Sequence, residues 1–134
     1  MKCSFCQIIC GKIEGMKIWE NNDFLLMLDR KPINRGHVLL MPKRHFENVF
    51  DMPDLLYEDL FRTAKRIAPI LQNLVNAKRI SLAIEGFGIP HVHMHLVPVN
   101  KGNQLNPLRA KNVSERTLRN AQKIIAPAFR QLSQ

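Results

Sequence analysis

Short apolar runs punctuated by turn formers dominate the first fifty residues. "KIWE" (17–20) and "FLLMLD" (24–29) read as two strands joined by the turn Asn21-Asn22-Asp23. After the loop "KPINRG", "HVLLMP" (37–42) is apolar throughout and reads as a third, central strand. The period then changes. Within 54–78, Leu56, Leu60, Ala64, Ile67, Leu71 and Leu74 step by four, four, three, four and three, the spacing of one helical face. Asp51 and Asp54 near Pro53 give start signals, and Pro69 is expected to kink the helix. "RISLAIEG" (79–86) reads as a fourth strand and "HVHMHLV" (91–97), bounded by Pro90 and Pro98, as a fifth. Residues 99–112 read as a loop. A final amphipathic helix spans about 114–132, with Asn112 and Glu115 spaced as a capping box and Pro127 awkwardly placed. Strands, helix, strands, helix with hairpin-like connections predict an α+β domain: an antiparallel five-stranded sheet, one long helix and a C-terminal helix.

The fifth strand carries the chemistry. Side chains alternate faces along a strand, so His91, His93 and His95 point one way while Val92, Met94 and Leu96 point to a core. Successive imidazoles then stand about 6.5–7 Å apart at Cα. That suits convergence on one small anion, division between two sites, or shared ligation of one metal. The rival reading is a polar, solvated strand face. Three alternating histidines beside a glycine-containing loop favour catalysis or metal binding instead.

Length and composition narrow the class. A chain of 134 residues is long enough for one domain with its own core, and 46% hydrophobic with 23% charged residues is ordinary for a globular protein. No apolar run approaches the ~20 residues of a membrane span, and "MKCSFCQIICGKIEG" lacks the hydrophobic stretch of a signal peptide. Three cysteines, an odd number without a secretory signal, point to the cytoplasm rather than to a disulfide framework. The net charge of +9 is uneven: residues 101–134 hold seven Lys/Arg against the single acid Glu115. A basic tail suits anionic partners, nucleic acid among them, or is simply a solvated helix face.

Cys3 and Cys6 form a C-x-x-C pair, which supplies two thiolates from one turn and so half of a tetrahedral zinc site. His45 in "PKRH" and His91 are placed to supply the rest. A redox pair or two small buried side chains are the other readings. Cys10 has no partner by spacing and reads as core.

These residues resemble a known family. "HVHMHLV" matches the His-x-His-x-His-x-x signature, with apolar x, of the histidine triad (HIT) superfamily. "CSFCQIICGKI" and "IWENNDFLLMLDRKPINRGHVLLMPKRHFENV" resemble the family's opening and its strand–strand–loop–strand segment, so the likeness runs from about residue 3 to 98. The nearest branch is the bacterial one beside the Hint-type nucleotide hydrolases. The resemblance implies one domain over 1–134, with 1–100 as family core and 101–134 as a basic extension.

The resemblance also implies roles. His93 would be the nucleophile that attacks the α-phosphorus of a nucleotide, forming a nucleotidyl-histidine that water resolves to a nucleoside monophosphate. His95 would hydrogen-bond the phosphate or leaving group, with His37 in support. Asp29 would hold the ribose hydroxyls. Cys3, Cys6, His45 and His91 would bind a structural zinc. Related proteins are commonly homodimers that act on purine nucleotides: phosphoramidates, aminoacyl adenylates or dinucleoside polyphosphates.

One stretch departs from the family. Relatives usually carry a longer Gly-rich loop with an Asn early in it and a Gln four residues before the first triad histidine. Here the loop is "EGFGIPH", with Phe87 at that position and no Asn or Gln between Arg79 and His91. Backbone N–H groups near Gly86 and Gly88 are the candidate substitutes. A nucleotide-binding adaptor with little turnover, a nucleic-acid-end processing enzyme, and a triad-bound catalytic metal are the competing expectations.

Overall fold

The computed structural model describes residues 2–132. Five strands form one antiparallel sheet: β1 (Lys17–Glu20), β2 (Phe24–Leu28), β3 (Val38–Pro42), β4 (Arg79–Ala83) and β5 (Met94–Val99), in the order β1-β2-β3-β5-β4. Three helices join them: α1 (Ser4–Ile9), α2 (Asp54–Val75) and α3 (Glu115–Ile125).

The strict alternation of β2 and β3 gives the sheet two apolar faces. Phe24, Leu26 and Leu28 with Val38 and Leu40 face a large core, completed by Val92, Met94 and Leu96 and by Leu60, Ala64, Ile67 and Leu71 of α2. The predicted helical stripe is thus the buried one. The tail joins the same core through Leu118, Ile125, Phe129 and Leu132. On the opposite face Leu25, Met27, Leu39 and Met41 pack with Phe5 and Ile8 of α1. That face is covered only in part, and parity puts Asp29, His37 and the three triad histidines on it.

Several predicted boundaries move. The fifth strand begins at Met94, not His91, because Pro42's carbonyl is taken by the ring Nε2 of His91 instead of by a backbone N–H. It also runs through Pro98, which was expected to end it. Pro98 pairs with Ile80 of β4, and its carbonyl, on the side of its missing N–H, accepts from the Asn34 side chain. The long helix stops at Val75, three residues early, where Asn76 adopts a left-handed conformation at φ 54°. It continues through Pro69. The cap of α3 is Ser114, whose hydroxyl accepts from Thr117 N–H, rather than Asn112, and the α-helix gives way to a 3-10 turn (Ala126–Phe129) at Pro127. Helix α1 was not expected at all. Its signal is Cys3, whose Sγ accepts from Cys6 N–H as an N-cap, followed by Phe5 and Ile8 spaced for one buried face. Cys10, read from sequence as core, is exposed.

Candidate active site and metal centre

Strand register assembles the first group of side chains. Leu28 pairs with Val38, and the next rung is Asp29 N–H donating to His37 C=O at 3.1 Å, so Asp29 and His37 stand at the loop end of the β2–β3 hairpin. Leu39 pairs with His95, which makes His95 the diagonal neighbour of His37 across the ladder. The rings meet with His37 Nε2 2.9 Å from His95 Nδ1, and Asp29 Oδ2 lies 3.4 Å from His37 Nε2 and 3.8 Å from His95 Nδ1.

Backbone groups decide the tautomers. Ile33 N–H donates to His37 Nδ1 at 2.9 Å, so neutral His37 carries its proton on Nε2 and donates to His95 Nδ1. Neutral His95 then carries its proton on Nε2. His93 is set the opposite way: its Nδ1–H donates to the carbonyl of His91 at 2.7 Å, which leaves the Nε2 lone pair free. Phe5 stands edge-on to the His93 ring at 5.1 Å between centroids and holds its plane. Sequence reasoning missed Phe5, because it belongs to the unexpected helix.

Burial keeps His37 and His95 neutral. Desolvation pushes the His37 pKa down to about 4, against the opposing pull of Asp29. Desolvation and then the charge of His93 lower His95, while Asp29 and Glu85 partly restore it. The linkage sign follows. Above pH 6.5 both folded and unfolded His37 are neutral; between 6.5 and about 4 only the unfolded chain takes up the proton, so stability falls as pH falls through that window. His37→Gln is expected to flatten the loss between pH 7 and pH 4 by about 3 kcal/mol in urea titrations. Parallel stability curves for the two proteins would refute a neutral, buried His37.

The pair and His93 open onto a cleft of about 780 Å³, within the size range of small-molecule sites. Met27, Leu39, Asp29 and Ile33 form one side, Ala83, Glu85, Phe87, Gly88 and Ile89 another, and Leu105, Pro107 and Ala110 of the tail an outer wall. Gly88 lines the cleft; Gly86 is not among the lining residues, although its neighbours Glu85 and Phe87 are. The tail residues carry no motif, and only the fold brings them here: Arg109 donates to the Asn34 side chain at 2.7 Å and Lys111 N–H to Pro32 C=O at 3.2 Å.

The second group gathers around His91, the first histidine of the triad. Cys3, Cys6, His45 and His91 present one ligand atom each, all within 4.8 Å of one another. His91 Nδ1 is 3.4 Å from Cys3 Sγ, 3.5 Å from Cys6 Sγ and 3.2 Å from His45 Nδ1, and Cys6 Sγ is 3.4 Å from His45 Nδ1. Donors 2.0–2.3 Å from one tetrahedral zinc ion stand about 3.3–3.8 Å apart, so the set fits that ion. Local bonds hold it. His91 Nε2–H donates to Pro42 C=O at 2.8 Å, which turns the Nδ1 lone pair toward the sulfurs, and Val92 N–H donates to Phe46 C=O, which keeps His45 beside His91. Burial and then Cys3 push the Cys6 thiol up to about 11, the reverse of the lowered pKa of a reactive redox cysteine.

The HIT domain family's profile matches residues 11–102. The chain belongs to that family. An uncharacterised HIT-like protein of Mycobacterium tuberculosis is 34% identical over 79% of this chain and 77% of its own length. The adenosine 5′-monophosphoramidase of Saccharomyces cerevisiae is 34% identical over 72% of this chain and 61% of its own, so nucleotide hydrolase activity occurs among the relatives of this HIT chain. A zinc-bound histidine triad family protein from Mycobacterium smegmatis superposes with a TM-score of 0.83, at 28% identity, over 98% of this chain and 96% of that one. The matched segment of the HIT chain holds all five histidines and Asp29. Cys3 and Cys6 precede it, and the tail wall of the cleft follows it.

Proposed function

We propose that this HIT chain is a nucleotide hydrolase that cleaves at the α-phosphorus of a nucleoside phosphoramidate or dinucleoside polyphosphate through a nucleotidyl-histidine on His93. The observation that carries the reading is the bond from His93 Nδ1–H to the His91 carbonyl, because it frees Nε2 as a nucleophile in a ring that is nearly buried. In the first step the Nε2 lone pair forms a bond to phosphorus. The electron pair of the breaking bond goes to the leaving atom; a leaving nitrogen takes a proton from solvent. In the second step water attacks phosphorus, releases a proton to solvent, and the P–N pair returns to His93, giving the monophosphate. His95 Nε2–H donates a hydrogen bond to the phosphate or the leaving atom, and His37 holds it in that tautomer. The Asp29 carboxylate takes the ribose hydroxyls, as it has lone pairs for both.

Cys3, Cys6, His45 and His91 would hold a structural zinc. Its bond to His91 would fix the backbone whose carbonyl orients His93, and the ion itself supplies no step.

Incubation with adenosine 5′-phosphoramidate is expected to release AMP with catalytic turnover. Tight AMP binding without any AMP release from this substrate would sink the hydrolase reading in favour of a nucleotide-binding adaptor.

A further inference from the structure

The cleft wall on the β4 side has an unusual composition. From Ile80 to Asn100 the chain contains no Lys or Arg, and between Arg79 and His91 no Asn or Gln. Between Ala83 and the triad the chain brings Glu85, Phe87, Gly88 and Ile89 to the cleft. Phe87 lines the cleft and yet is 80% exposed. The flanking Gly86 and Gly88 have φ of 88° and 82°, values that side chains with a Cβ rarely tolerate, so Gly-Phe-Gly is a turn that presents the ring at the rim.

Topology says which part of a substrate meets it. Strand β5 lies between β3 and β4, so Asp29 and His37 stand on one side of His95 and the segment after β4 on the other. A nucleoside held toward Asp29 directs the departing group across His93 and His95 to Glu85 and Phe87. The other charged residues lining the cleft are Glu14 and, adjoining Asp29, Arg30 and Lys31. A polyphosphate departing toward Glu85 would therefore meet a carboxylate and no base on that wall. An amine meets an aromatic face and a carboxylate, both of which favour it, more so once it is protonated.

We propose that Phe87, seconded by Glu85, sets leaving-group specificity: this chain takes nucleoside phosphoramidates whose amine bears an aromatic or apolar group and disfavours polyphosphate leaving groups. The proposal rests on the nucleotidyl-transfer reading above and deepens it.

The test compares kcat/KM for adenosine 5′-phosphoramidate, the phenethylamine phosphoramidate of AMP, and diadenosine triphosphate. Aromatic contact is expected to favour the phenethylamine compound about tenfold over the unsubstituted one in the native chain. That ratio is expected to collapse toward one in Phe87→Ala and to return in Phe87→Tyr, with diadenosine triphosphate the poorest substrate of the native chain. A ratio that Phe87→Ala leaves intact, or a preference for diadenosine triphosphate, overturns the proposal. Calorimetric binding of the two phosphoramidates to His93→Ala, with and without Phe87→Ala, separates it from turnover. If no substrate yields AMP, the hydrolase reading fails. Phe87-dependent discrimination in binding still supports the specificity wall, and equal binding refutes it.

Discussion

His93→Ala is expected to lower AMP formation from adenosine 5′-phosphoramidate by at least about a thousandfold, because it removes the nucleophile and leaves only binding and hydrogen-bond donors. Acid-quenched native protein is expected to carry one added AMP by intact mass, and the variant none. The variant should fold, since the substitution leaves the apolar side chains of both core clusters in place, and nucleotide binding by the folded variant checks this. Substantial AMP formation by His93→Ala would exclude covalent catalysis at that ring and leave direct attack by water. Loss of a bound metal on the same substitution would instead favour a triad-bound ion.

Removal of zinc is expected to give the second large effect. Native protein should contain one zinc per chain. Chelation, or the pair Cys3→Ser and Cys6→Ser, should lower Tm by about 10 °C, since an ion bound only by the folded chain stabilises it by several kcal/mol. The ion would join α1 to the loop after β3 and to the triad segment, three pieces far apart in the chain. Because no chemical step passes through it, the metal-free protein should still form AMP below its lowered melting range. A zinc-free native protein, or an unchanged Tm after complete removal, would exclude the structural zinc. Uptake should weaken in acid, because the raised Cys6 thiol must give up its proton to bind.

The period of the five strands and of the long helix was legible in the sequence, and with it the shared face of Asp29, His37 and the triad histidines; helix α1, with Phe5 and Cys6, was not. The alternation of "HVHMHLV" separated three histidines from Val92, Met94 and Leu96, and the steps of three and four through 56–74 named the buried stripe of α2. Parity is a local property, enforced at every residue by backbone geometry, so it is readable without a partner. Boundaries were not, because they depend on which group takes each carbonyl: the ring of His91 displaced a ladder bond at Pro42, and Asn34 allowed Pro98 inside β5.

Tertiary structure alone decided three things. It fixed the tautomers, since Ile33 N–H and the His91 and Pro42 carbonyls are backbone groups brought to the rings by folding. It brought Cys3 and Cys6 to His45 and His91 across 39 to 88 residues, a convergence that spacing permitted and could not single out. It also built the cleft's outer wall from Leu105, Pro107 and Ala110 and placed Phe87 at its rim. Contacts of that kind depend on shape and on long-range packing, neither of which leaves a periodic trace along the chain.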